Sequence, residues 1–460
     1  MEPVLAPVAD AAPSGLRANI LTPMETLAQS ISTIAPTTTP TMTIPLVYSL
    51  AGNGTWLAYL IATGAIILIA LTISRFARYS ACSGSLYTYV ATSLPPVCSA
   101  MTAWALLLAY LAIGASTAGG FINYANVFLV YFFGKPISTV ALAVVCTGLC
   151  TFVAYQNVQI STRMMLWLEA ASVSLIVVVL ALLLWRHGVH VDGAQLQLRG
   201  VSASGVRLGV VLALFSFVGF ESATTLGAEA MHPHRTIPRV VIQSGLFCGI
   251  FFVVCAYLET YGMAAAGQDL GQSNAPLRVL ASLVGVDVLG SLIDFGALVS
   301  MFACTLACIT AAARVLLRMA QNGMAHRSLG VTHPRSATPH RAVLVTGALT
   351  LLPVALLSAR GASGIDIYGW MGSLAVYGFI TAYGLAAVAL PLYLKRNHTL
   401  STGALLLTIA ATVAMLLALA GTLYPVPPSP YNWLPYFYLG YLLSGVLWFA
   451  VSSRRRTTLA

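Results

Sequence analysis

Charged residues are scarce in this sequence. Lys, Arg, Asp and Glu make up 7% of its 460 residues, whereas 58% are hydrophobic. A soluble domain needs roughly 25% charged residues to cover its surface, so the composition excludes a water-soluble fold. The ~10-residue alternating segments of a membrane β-barrel are also missing. Apolar runs of roughly 20 residues, long enough to cross a ~30 Å hydrocarbon core as helices, recur instead. We therefore predict an all-α polytopic membrane protein embedded in a lipid bilayer.

Motifs of several other function classes are absent. No Walker-type phosphate loop is present, which argues against ATP-driven transport, and no paired catalytic motif or appended signalling domain appears. The eight cysteines lie in or beside apolar spans without His or carboxylate on the same helical turn, as expected of small buried hydrophobes. The formal charge of +10 comes from basic residues in short loops, a membrane-orientation signal. We therefore predict no enzymatic activity, cofactor, metal site or nucleic-acid partner.

Twelve spans are predicted, and we expect no cleavable signal peptide in residues 1–22. They lie near residues 24–51, 54–77, 98–130, 136–155, 162–185, 205–230, 236–262, 286–319, 341–358, 366–394, 402–422 and 434–452. Of the 22 Lys and Arg residues, 16 fall in the loops and tails on one side. The six on the other side are Lys135, Arg186, Arg199, Arg207, Arg278 and Arg360. This bias predicts a bacterial inner membrane protein whose tails, 1–22 and 454–460, are both cytoplasmic.

Two of the predicted helices carry interruptions. The first contains Pro36 and Pro40, each of which removes a backbone donor and clashes with the preceding turn. The sixth contains Gly219 and the acidic Glu221 at mid-span. A single proline kink would explain the first alone. The two interrupted helices, however, are the first helices of two consecutive sets of five. Interruptions at corresponding positions of two repeats indicate an inverted-repeat transporter with a midplane binding site.

The ends of broken helices suggest the kind of substrate. A half-helix N-terminus offers free N–H groups and a positive dipole, which favour a carboxylate. A half-helix C-terminus offers free carbonyls, which favour an ammonium group. Two opposed broken helices are therefore a natural receptor for a zwitterionic amino acid.

Four segments, in order, resemble the amino acid–polyamine–organocation (APC) transporters, of the bacterial amino acid permease type. They are SGSLYTYV (Ser83–Val90), GFESATTLGAEAMHPHRTIPR (Gly219–Arg239), AAARVLLRMAQNGM (Ala311–Met324) and YGFITAYGLAAVALPLYLKR (Tyr377–Arg396). The resemblance implies alternating access and a LeuT-like fold of two inverted five-helix repeats, about 24–185 and 205–394, plus two extra helices within 402–452.

The resemblance also implies the substrate-binding residues. The first-helix break would bind the carboxylate, carbonyls around Phe215 and Val218 the ammonium, and other side chains would gate or surround the site. The implied set is Ala35, Pro36, Thr37, Thr38, Thr39, Tyr110, Phe215, Phe217, Val218, Gly219 and Met301. Many relatives have a Gly-Ser-Gly break where this chain has prolines. Because proline offers no N–H, the donors would come from residues 37–39.

The membrane-embedded carboxyl groups favour the proton as the coupling ion. Glu221 and Glu169 are the candidate proton carriers. Several proton-coupled relatives carry a lysine midway along the fifth helix, but the comparable stretch here has Glu169 and no lysine, which argues against a lysine-based coupling mechanism. We expect Glu229 and Glu259 to be interfacial or loop-anchoring, and Asp294 to be solvated at the outer end of its span.

The function predicted from these features is proton-coupled symport of amino acids or related amines. An amino acid or amine antiporter is the alternative, and a membrane sensor on the same scaffold is a more distant one. Sodium coupling stays open as well, because Ser300 and Thr305 could contribute to a cation cage.

Overall fold

The computed structural model describes residues 15–80, 82–156, 158–188, 191–273, 275–334 and 336–457. Residues 1–14 and 458–460 of the two predicted tails lie outside these ranges. Sixteen α-helices form within them, and extended pairing there is limited to one bridge between Leu21 and Ala230. The helices are α1 (Pro23–Ile34), α2 (Ile44–Ala51), α3 (Thr55–Ala77), α4 (Leu86–Ala91), α5 (Pro96–Phe133), α6 (Thr139–Gln156), α7 (Val158–His187), α8 (Gly193–Leu196), α9 (Ala203–Phe215), α10 (Pro233–Ala265), α11 (Pro276–Leu283), α12 (Asp287–Gln321), α13 (His340–Ala359), α14 (Gly364–Arg396), α15 (Thr402–Leu423) and α16 (Leu434–Thr457).

Ten described stretches are long and apolar enough to cross a bilayer. The first, Pro23–Ala77, contains 55 residues. At ~1.5 Å per residue it is long enough for two crossings of a ~30 Å core. Helix α9 is a shorter apolar helix. The all-α polytopic fold predicted from composition is therefore confirmed, and the chain is a multi-pass membrane protein.

Helices that hold the same position in the two five-helix sets pack against each other. The second helix of the first set, α3, runs along α10, the third, α5, along α12, and the fourth, α6, along α13. In the most apolar part of α12, 78% of the residues are buried, against 28% in α15. Helix α12 is therefore in the core, whereas α15 and α16 lie at its edge against α14 and α5.

The first interruption follows from local chemistry. Helix α1 begins with a capping box formed by Thr22 and Glu25, which satisfies two of the free N–H groups at its start. It ends at Ile34 because Ala35 adopts a left-handed conformation (φ 51°) and Pro36 has no N–H to continue the ladder. A π-helical turn, Thr39–Thr43, leads into α2.

The second interruption lies between α9 and α10. Helix α9 ends at Phe215, and the chain continues irregularly to a 3₁₀ segment, Ser222–Leu226. Gly219 has a φ of 89°, a conformation that a residue with a Cβ rarely adopts. Both interruptions predicted from the sequence are thus present.

Three acidic residues are buried inside the protein. Glu229 and Glu259 are 1% and 0% exposed, and the Glu229 carbonyl accepts the N–H groups of Ile20 and Leu21, which anchors the segment before α1. Asp294 is 3% exposed and accepts a hydrogen bond from Arg278, so the prediction that it is solvated is wrong. Hydropathy does not show which neighbouring helix covers a side chain, here α11 through Arg278.

Candidate substrate-binding site

The two interrupted helices meet in the centre of the helix bundle. The hydroxyls of Thr33 and Ser222 are 2.8 Å apart, and the Ala223 N–H donates to the Ser30 hydroxyl at 3.0 Å. A Cβ added to Gly219 would lie 2.2 Å from the Thr33 side chain. The missing side chain at Gly219 therefore allows the close approach of the two breaks.

The first break carries several hydrogen-bond donors without an acceptor. Thr37 and Thr38 are 0% and 3% exposed, and among the described residues neither hydroxyl has a hydrogen-bond partner. The N–H of Thr38 donates to the Ala35 carbonyl, but those of Thr37 and Thr39 have no partner in the same part of the chain. Buried polar groups are normally paired, so this cluster can receive an anionic group such as a carboxylate.

The second break presents hydrogen-bond acceptors. The Phe215 carbonyl is occupied by the Val218 N–H at 3.3 Å. The carbonyls of Ser216 and Val218 accept no hydrogen bond from the described residues. Free carbonyls beyond the end of α9 can bind an ammonium group.

A small cavity of about 20 Å³ lies between the breaks. Its lining contains hydroxyls, a thiol and apolar groups, and none of its side chains is charged. The lining residues are Thr33, Ile34, Ala35, Thr38, Thr39, Ile113, Thr117, Phe215, Ser216, Val218, Cys304 and Tyr368. This volume holds about one water molecule, so the lining must move apart to admit a larger ligand.

The cavity brings together about half of the predicted site residues. Ala35, Thr38, Thr39, Phe215 and Val218 line it, whereas Thr37 is outside the lining. The lining residues Thr33, Ile34, Ile113, Thr117, Ser216, Cys304 and Tyr368 were not predicted. Several of them come from α5, α12 and α14, which are apolar on most faces, so no periodicity in the sequence marks the side that faces a cavity.

Other predicted residues lie outside the cavity lining. Phe217 packs against Phe252, with ring centroids 5.2 Å apart. Met301 packs against Gly120 of α5. Pro36 forms the break itself without contributing to the lining.

Glu221 joins three helices beside the cavity. It is fully buried and accepts hydrogen bonds from Tyr110 of α5, at 2.7 Å, and from Tyr383 of α14. The Tyr383 hydroxyl also accepts the Gly219 N–H at 3.3 Å. The carboxyl group therefore connects the interrupted segment to both α5 and α14.

Glu169 of α7 contacts α12. It is 3% exposed and accepts a hydrogen bond from the Ser300 hydroxyl at 2.9 Å. One turn after Ser300, the Cys304 thiol donates to the Thr33 carbonyl at 3.2 Å. Among the described residues Glu169 has no ion-pair partner.

Comparison with known proteins adds independent information. The family description "Amino acid permease" matches residues 25–460. An uncharacterized transporter of Mycobacterium tuberculosis is 31% identical over 330 residues, 71% of each chain. A branched-chain amino acid permease of Bacillus subtilis is 23% identical, covering 76% of each chain. A low-affinity putrescine importer of Escherichia coli is 25% identical, covering 65% of this chain and 66% of its own.

Solved structures show a shared fold. A manganese transporter of Eremococcus coleocola superposes with a TM-score of 0.55 over 94% of both chains, at 15% identity. At this identity the likeness concerns the fold alone.

Proposed function

Because this chain belongs to the amino acid permease family, we propose that it is a secondary active transporter that moves neutral amino acids across the membrane by alternating access. The observation that supports this most is that hydrogen-bond donors at the first break and carbonyl acceptors at the second break both lack partners. Donors at residues 37–39 and the carbonyls of Ser216 and Val218 lack partners among the described residues, and Thr38, Thr39, Ser216 and Val218 line one cavity. An α-amino acid carries a carboxylate and an ammonium on adjacent atoms, and it satisfies both sets at once.

The cavity favours a neutral amino acid over a diamine. A diamine carries a cation at each end and needs acceptors at both breaks, whereas the first break presents donors. A basic amino acid would place a second cation against a lining without a charged side chain, and an unpaired charge is costly to bury. Branched-chain permeases among the relatives agree with a neutral substrate.

We propose that transport is coupled to protons, with Glu221 and Glu169 as coupling groups. Both are buried carboxyls next to the interrupted helices. Sodium coupling is the alternative: Ser300 donates to Glu169 and Thr305 to the Met301 carbonyl, and both hydroxyl oxygens keep lone pairs that can bind a cation. We place the protein in a bacterial inner membrane with both tails cytoplasmic, following the distribution of basic residues.

Uptake into proteoliposomes tests this proposal. An external pH below the internal pH is expected to stimulate uptake of a radiolabelled neutral amino acid, and unlabelled neutral amino acids, but not putrescine, are expected to compete.

Glu221→Gln is expected to lower pH-driven uptake roughly tenfold or more. Gln offers one acceptor oxygen to two tyrosines, and a hydrogen bond to a charged group is worth about 1.5–3 kcal/mol.

Three outcomes would contradict parts of this proposal. Competition by putrescine without competition by amino acids would indicate an amine transporter. Uptake that requires unlabelled substrate inside the vesicles would indicate an antiporter. Full pH-driven uptake by Glu221→Gln would remove this residue from coupling.

A further inference from the structure

Glu259 differs from the other buried acids of the bundle. It is 0% exposed, and among the described residues neither of its carboxyl oxygens has a hydrogen-bond partner. Glu221, Glu169 and Glu229 each accept at least one hydrogen bond from a side chain. Glu259 lies two turns before the end of α10, at the end of the bundle where α3 begins.

Among the described residues no ion pair balances Glu259. Cys255 lies one turn earlier on α10, and Phe252, two turns earlier, packs against Tyr59 of α3. One turn after Glu259, Gly262 packs against Leu183 and Leu280.

Two ion pairs on the helices around α10 do not include Glu259, and Arg186 at the end of α7 lies against Gly285. Arg278 of α11 pairs with Asp294, and Glu25 of α1 with Arg163 of α7. A buried carboxylate without a donor or counter-ion is costly, whereas the protonated acid avoids most of that cost. We therefore expect the neutral acid in this conformation.

The packing of α3 on α10 connects the helix of Glu259 to the substrate cavity. Tyr59 of α3 is fully buried and packs against Phe252 of α10, with ring centroids 5.9 Å apart. Its hydroxyl lies 3.2 Å from the Ser216 hydroxyl. Ser216 lines the cavity and offers its free carbonyl at the second break. Tyr59 therefore joins α10, the helix of the unpaired acid, to the substrate-binding segment.

We propose that Glu259 is a proton-binding site of the transport cycle and that its charge state acts on the second helix break through the packing of α10 on Tyr59. Protonated Glu259 is compatible with the closed conformation. Release of the proton to water produces a carboxylate without a donor or counter-ion, which is costly to keep buried, so α10 must shift to bring it to water, and Tyr59, packed against Phe252, shifts with it. One proton is bound on one side of the membrane and released on the other. This inference rests on the proposed function.

Infrared spectroscopy tests the protonation state without any substrate. The difference spectrum between the wild-type protein and Glu259→Gln, both reconstituted in lipid at neutral pH, is expected to contain the C=O stretching band of one protonated carboxyl group. The amide of Gln has nearly the shape of the protonated acid, so we expect the variant to fold; size-exclusion elution and the thermal midpoint check this. Absence of the band would overturn the proposal.

Transport assays test the coupling role. Glu259→Gln is expected to lose stimulation by a pH gradient while exchanging internal for external amino acid within about twofold of the wild-type rate. Glu259→Asp, which keeps a titratable carboxyl, is expected to retain the stimulation. A response lost in Glu169→Gln or Glu221→Gln but intact in Glu259→Gln would overturn the inference and leave the proposed function standing. Failure of the wild-type protein to transport any amino acid would instead contradict the proposed function.

Discussion

The Thr38 hydroxyl is unusual among the threonines of this bundle. Threonines in membrane helices commonly donate to a carbonyl one turn earlier, as Thr346 does to Ala342 and Thr412 to Thr408. Thr38 is buried but makes no such bond in the described part of the chain. An unsatisfied buried hydroxyl costs about 1–3 kcal/mol. We infer that the substrate carboxylate supplies the missing acceptor.

Replacing Thr38 with valine tests this inference, because valine keeps the shape and removes the hydroxyl. A hydrogen bond to a charged group is worth about 1.5–3 kcal/mol, so we expect Thr38→Val to raise the Kd of the transported amino acid roughly tenfold or more. The thermal midpoint of the protein without substrate is expected to stay unchanged or to rise. Calorimetric titration and thermal unfolding measure the two effects.

Thr412→Val is the matched control. Its hydroxyl donates within α15, at the edge of the bundle and away from the cavity, so we expect no change in substrate affinity. Equal affinities of Thr38→Val and wild-type protein would show that this hydroxyl does not contact the substrate.

Among the structural elements, the interrupted segment after α9 depends on Gly219. Its φ of 89° is unfavourable for other residues, and an added Cβ would lie 2.2 Å from Cγ2 of Thr33. Backbone strain of this kind costs about 1–3 kcal/mol, and overpacking a tight contact costs a similar amount. The approach of the two breaks, which forms the cavity, therefore requires glycine at this position.

Gly219→Ala is expected to lower the free energy of unfolding by at least about 2 kcal/mol and to abolish substrate binding, as measured by thermal unfolding and binding titration. Adding Thr33→Ser removes the methyl group but keeps the hydroxyl bonded to Ser222, so the double variant is expected to recover part of the stability. Gly440→Ala on α16, where an added Cβ meets nothing within 4 Å, is the control and should be neutral or slightly stabilising. A stable, binding-competent Gly219→Ala would contradict this account.

The sequence predicts where the helices break better than it predicts which helix faces line the cavity. Pro36 and Gly219 stand out in apolar runs because each has a backbone property that lipid makes costly, so both breaks could be located. Ile113, Cys304 and Tyr368 line the cavity, but their helices are apolar on most sides and carry no periodic signal. The burial of Glu259 was not predicted either, because hydropathy does not show that α10 packs against α3 on this side.

At the scale of the whole molecule, the segment before α1 closes one end of the bundle. The N–H groups of Ile20 and Leu21 donate to the Glu229 carbonyl at 2.9 and 3.1 Å. The Glu229 carboxylate forms an ion pair with Arg314 of α12, and both side chains are 2% exposed. Alternating access requires this end to open, so the buried pair must separate or move as one unit.

Neutralising the buried pair is expected to favour the conformation that is open at this end. Buried ion pairs contribute little net stability to a fold when both members are replaced by neutral groups, so Arg314→Met with Glu229→Gln should leave the protein folded while removing a contact specific to the closed state. A shift of about 1.4 kcal/mol changes a conformational ratio tenfold. Cys304 lines the cavity and is 1% exposed, so its thiol should react only when the site opens.

The measurement is the rate at which an impermeant maleimide labels Cys304 in oriented proteoliposomes, with the other seven of the eight cysteines replaced by alanine. We expect labelling from the α1 end to be about tenfold faster in the double variant.

The control is Glu25→Gln with Arg163→Gln, a pair whose arginine side chain is 64% exposed. Exposed pairs contribute about 0.2–1 kcal/mol, so its labelling rate should change less than about fivefold. Equal rates in the double variant and its parent would mean that the Glu229–Arg314 pair stays intact when the site opens, and that closure depends on the backbone contacts of Leu21.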